Sequence, residues 1–128
     1  MAVEVRWDDE QHTILRVVLQ NWGWDDLANG EAVEARMRMV DEAPSPVTML
    51  VILRDTPRNL LGMLPHMAQS PGFSHPNVRR VIVVADTSVI RMATEVFKRV
   101  YGPASRRMRV VSSVSEAYQI IGAAQPDE

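Results

Sequence analysis

The chain has 128 residues, 46% of them hydrophobic and 23% charged, a size and composition that suit one compact domain burying roughly two thirds of its unfolded surface. Cysteine is absent, which excludes disulfides, thiolate catalysis and zinc sites of the Cys type. No apolar run approaches the ~20 residues of a membrane span, and residues 1–6 lack a signal peptide's apolar stretch. The expectation is a single cytoplasmic domain over residues 1–124 with a frayed tail over 125–128. The formal net charge of −2 is unevenly spread: residues 79–109 hold eight basic and two acidic side chains, against six and eleven in residues 1–78. With an overall pI of about 5.9, the basic segment reads as a solvated helix face and strand flanks, and nucleic acid is not an expected partner.

Residues 3–7 alternate apolar and polar, as a half-buried strand does. A polar turn over 8–11 leads to a second strand over 12–19, and so short a link makes the two an antiparallel hairpin. From Trp24 to about Asp41 apolar residues recur near the helical period, with Asn29-Gly30 as a weak point, and Pro44 and Pro46 end this helix. Residues 47–53 are almost wholly apolar, the pattern of a central strand covered on both faces. Thr56 is a natural N-cap and Pro57 a natural first helical residue, opening a helix through Leu60, Leu61, Met63, Leu64 and Met67 that Pro65 shortens or kinks.

A second buried strand follows over 78–85, then a helix over 89–101 that Gly102-Pro103 stops. Residues 108–111 form a short strand. Ser113 and Glu116 have capping-box spacing ahead of a last helix over 117–121. Strands alternating with helices define an α/β fold: a mixed, mainly parallel five-stranded sheet with about four helices and an N-terminal β-hairpin.

Chemical motifs are scarce. The six glycines are isolated, so no phosphate-cradling loop or nucleophile elbow is present. His12, His66 and His75 lack metal-helix spacing, and although His66 and His75 flank one loop and could meet Asp55 or Asp86 in space, two ligands are too few for a metal. No catalytic residue, metal or cofactor is expected. In an open parallel sheet, ligands lie beyond the carboxyl ends of the strands. That edge gathers Arg54, Asp55, Thr56 and Arg58, then Asp86, Thr87 and Ser88, then Ser112 and Ser113. Three helix N-termini with two arginines suit an anion or nucleotide phosphate; equally, each residue serves as a cap or turn residue. A second surface is apolar. Leu60, Met63, Leu64 and Met67, with Phe97 on the following helix, form a face for a partner or a lipid-like ligand, and Trp22 and Trp24 offer a contact patch.

Three stretches carry a family resemblance: Trp22-Gly23-Trp24-Asp25-Asp26-Leu27, Leu50-Val51-Ile52-Leu53-Arg54-Asp55, and Arg107-Met108-Arg109-Val110-Val111-Ser112-Ser113-Val114-Ser115-Glu116-Ala117. Together with the element order, they resemble the STAS domain (sulfate transporter and anti-sigma factor antagonist) and its SpoIIAA-like relatives. The resemblance covers nearly the whole chain and implies a non-catalytic regulatory or protein-interaction domain. In anti-sigma factor antagonists, a serine in an Asp-Ser-Ser-Gly-like motif after the central strand is phosphorylated to control a partner kinase. The matching stretch here, residues 55–62, has Thr56 as its hydroxyl, followed by Pro57, and lacks the serine pair. The resulting expectation is a domain that binds a protein or a second copy of itself, through residues 57–67 and 89–101. The alternative is a small-ligand binder, taking an anion or nucleotide at the strand ends or a lipid-like molecule under the Met63 helix.

Overall fold

The computed structural model describes residues 2–20, 31–54, 75–85, 88–100 and 108–122. Within them lie five strands, β1 (Ala2–Trp7), β2 (Ile14–Gln20), β3 (Val47–Leu53), β4 (Val78–Ala85) and β5 (Met108–Val111). Three helices accompany them, α1 (Glu31–Glu42), α2 (Ser88–Val100) and α3 (Val114–Ile121). The strands form one sheet in the order β1-β2-β3-β4-β5. β1 pairs antiparallel with β2, and every later pairing is parallel. The fold is α/β with a mixed, mainly parallel sheet, as the alternation of apolar strands and amphipathic helices requires.

Each parallel step advances one strand in the same direction. Right-handed crossovers that all advance the same way place their helices on the same face of the sheet. The two described crossover helices obey this. Val40 of α1 and Ala93 and Phe97 of α2 pack with Leu15, Val17, Leu19, Met49, Val51, Leu53, Val81 and Val83. The opposite face carries Ile14, Val18, Leu50, Ile52, Ile82 and Val84, and among the described residues α3 covers it through Ala117 and Tyr118. β3 is buried along its whole length, as its continuous apolar run demands.

Several boundaries moved for local reasons. The hairpin turn reaches Thr13, so β2 begins at Ile14 and not at His12: His12 takes a left-handed φ of 58° and its N–H donates to the Asp9 carbonyl. The described part of the first helix starts at Glu31, immediately after Asn29-Gly30. α3 begins at Val114, earlier than residue 117, because Ser113 already caps it: the Ser113 Oγ accepts the Glu116 N–H at 3.2 Å. Glu116 completes the cap one residue further out than a capping box does, accepting the Ser112 N–H at 3.1 Å and the Ser112 hydroxyl at 3.0 Å. Gly122 closes α3 at φ 81°, a left-handed position that favours glycine.

Phe97 is a correction. Expected on an interaction surface, it is 0% exposed in the core, while among the described residues Met92 at 63% and Val96 at 40% are the exposed large apolar ones. Residues 93 and 97 form the stripe of α2 that meets the sheet; 92 and 96 form the stripe beside it. Phe97→Ala is expected to cost about 3–5 kcal/mol in urea unfolding through the cavity it leaves. Met92→Ala is expected to stay within about 0.5 kcal/mol. Equal losses in the two variants would contradict this assignment of faces.

Candidate functional site

The described residues form a cleft of about 900 Å³ at the amino ends of β2, β3 and β4, on the α3 side of the sheet. Its floor is a row of paired residues, Ile14, Thr48 and Arg80, on adjacent strands. One irregularity borders that row. The β3–β4 register shifts between Val47 and Thr48, so that Val47 pairs with Val78 but Thr48 pairs with Arg80. Arg79 is the extra residue. A bulge of this kind re-aims the side chains after it. Val78 is thereby buried among the crossover-helix core, and Arg80 lies on the opposite face beside α3.

Arg80 donates from Nε to the Thr48 hydroxyl at 3.1 Å and from one terminal nitrogen to the Ile121 carbonyl at 3.5 Å. Burial, and then the like charges of Arg79 and Arg109, lower its pKa from the usual arginine range. The acidic residues of the cleft are held within the protein. Asp8 accepts the Tyr118 hydroxyl, and its other oxygen is 3.9 Å from Arg6 Nε. Asp9 accepts from the Thr13 N–H at 2.8 Å, the Ile14 N–H at 3.2 Å and the Thr13 hydroxyl. This set fixes the hairpin turn, and His12 stacks on Trp7 with ring centres 4.5 Å apart.

The Tyr118–Asp8 bond joins α3 to the hairpin turn. Burial first, and the adjacent Asp8 carboxylate next, raise the Tyr118 phenol pKa, while Arg16 works the other way. Elsewhere, burial pushes Arg36 on α1 down to about 10, which leaves it charged at neutral pH. Asn77 ties the carboxyl end of α1 to the start of β4, its amide donating to the Val40 carbonyl at 2.7 Å.

The expected sites fare differently. Of the proposed anion edge, Asp55, Thr56, Arg58, Asp86 and Thr87 lie outside the described residues. Arg54 is exposed just after β3, its N–H donating to the Leu19 carbonyl at 3.0 Å. Ser88 is the exposed first residue of α2, and Ser112 and Ser113 are engaged in the α3 cap. Leu60, Met63, Leu64, Met67, Trp22 and Trp24 also lie outside the described residues. His75 meets Asp41: its Nδ1 accepts the Asn77 N–H at 3.0 Å, so Nε2 carries the proton toward the Asp41 carboxylate 2.5 Å away. Among the described residues no group of three or more His, Asp or Glu side chains is placed to hold a metal ion. No described helix is long and apolar enough to cross a membrane.

Sequence reasoning placed ligand chemistry at the carboxyl ends of the strands and missed the cleft at the amino ends. One signal was legible. Val78 and Val81 are both apolar and three apart, a spacing that puts them on opposite faces of a regular strand and on one face only if a bulge intervenes.

Asp9 has a pH signature. Partial burial acts to raise its pKa, but hydrogen bonds from the Thr13 side chain, Thr13 N–H and Ile14 N–H outweigh it and lower the pKa from the ordinary 3.8. A depressed carboxyl pKa contributes stability that is present above the unfolded value and lost as pH falls through the folded one. Thermal melts of the wild type and Asp9→Asn are therefore expected to differ most above about pH 5 and to converge as pH falls below about 4. A gap that stays constant down to pH 2 would contradict the assignment.

Compared with protein-family models, curated proteins and solved structures, the chain matches none.

Proposed function

We propose that the chain is a non-catalytic, cytoplasmic regulatory or interaction domain of STAS-like arrangement that associates with a second copy of itself through α2. The observation that carries the reading is the pair Met92 and Val96, exposed by 63% and 40% and one helical turn apart. Exposed large apolar side chains that neighbour one another mark contact surfaces more often than isolated ones do. Arg91, Glu95 and Arg99 run beside them at four-residue spacing, and all three are exposed. An antiparallel second α2 sets Met92 of one copy against Val96 of the other and brings unlike charges into the rim, the self-complementarity that a two-fold interface needs. The hairpin followed by parallel crossovers in sequential strand order supports the STAS-like part of the reading.

The test is sizing chromatography with light scattering across a dilution series. The expected mass at high concentration is twice the 14.4 kDa of the chain. Met92→Glu with Val96→Glu is expected to return the single-chain mass while leaving the melting midpoint within a few degrees, because neither side chain is part of the core. A wild type that stays at the single-chain mass at every concentration would contradict self-association.

A further inference from the structure

The α3 side of the sheet carries a second feature, independent of the α2 surface. We propose that the cleft at the amino ends of β2–β4 binds a small organic anion, whose phosphate or carboxylate group sits on Arg80 with Arg79 beside it.

The first support is placement. The regular register of β4 sets Arg80 in the cleft, on the face of Ile82 and Val84, and the irregularity just before it adds Arg79 to the same edge. Bulges are over-represented next to functional sites because they aim one side chain while leaving the ladder on either side intact. The second support is charge. Among the described residues Arg80 donates to a hydroxyl and a helix-end carbonyl, both neutral, and no carboxylate forms an ion pair with it. Arg79 and Arg109 add two more positive charges nearby. A partly buried guanidinium among like charges is stabilised by an anion, which a planar fork of N–H donors receives through two parallel bonds.

The two carboxylates of the cleft are directed to other donors, Asp8 to Tyr118 and Arg6 and Asp9 to the three donors of the hairpin turn. The third support is the remaining lining. Ile14, Pro46, Pro76 and Ile121 give the cleft an apolar wall. A ligand with an anionic head and a compact apolar or ring body matches both halves, the usual division of labour in small-molecule sites.

The test is isothermal titration calorimetry on the full chain in low-chloride buffer, with phenyl phosphate, benzoate and inorganic phosphate as separate titrants. One-to-one binding of phenyl phosphate or benzoate is expected, with affinity reduced about tenfold or more in Arg80→Met. Arg91→Met, an exposed arginine on α2, is expected to bind as the wild type does. Preference for phenyl phosphate assigns a phosphate ligand, and preference for benzoate a carboxylate. Circular dichroism checks that Arg80→Met is folded. If it is not, Arg79→Gln takes its place, with an expected loss of about threefold, since it removes a peripheral charge. Absence of binding by all three titrants at millimolar concentration, or equal affinity in the wild type and the folded variant, would overturn the proposal.

Discussion

The arrangement depends on one topological constraint. Every parallel step moves to the next strand in the same direction, so right-handed crossovers bring their helices to one face. α1 and α2 follow this rule, and their face is filled by Val40, Ala93 and Phe97 against the central strands. Among the described residues the other face receives α3, which follows the last strand and so is free of the crossover rule. It is eight residues long. α3 lies over β3, β4 and β5, and the cleft opens at its edge, along the amino ends of β2–β4.

That asymmetry explains why charged residues gather on the α3 face. Arg6 pairs with Arg16 across β1 and β2, and Arg80 lies two rows away on the same face. Arg16 is 4% exposed. Burying a cation is costly unless the surroundings supply hydrogen bonds and opposite charge. The Tyr118–Asp8 contact sits beside these residues, with Arg16 acting on the same phenol. It connects the last helix to the first turn, across 110 positions of sequence. The hairpin turn, fixed by Asp9, positions Asp8 for that contact. Hairpin, α3 and the arginine-bearing strands therefore form one polar assembly, while the opposite face holds an apolar cluster with Arg36 of α1 buried beside Val33 and Val40.

The elements with a strong period were legible from sequence. The continuous apolar run of β3, the alternation in β1 and the cap at Ser113 each follow from local chemistry, and their strands and helix stand where that chemistry puts them. Phe97 shows where periodicity stops. The period identifies residues that share a stripe, but it does not say which of two adjacent apolar stripes meets the sheet; Ala93–Phe97 does and Met92–Val96 does not. The cleft was hidden for a different reason. Its lining is drawn from the hairpin turn, the starts of three strands and α3, with a contact between positions 8 and 118, and no local window holds these together. The general rule for ligand sites in parallel sheets pointed to the opposite edge, where the described serines cap α3 and begin α2.

Among the described residues α3 alone covers its face, and the bond between Tyr118 and Asp8 clips it there. Native-state hydrogen exchange tests it most directly, by following the amides of residues 117–121 and of β2–β4 in the wild type and in Tyr118→Phe. In the variant the α3 amides are expected to exchange through a local opening while β2–β4 keep their protection, because loss of the hydroxyl frees the helix without disturbing the apolar face. Exchange of α3 that changes only in step with global unfolding, or not at all, would contradict it.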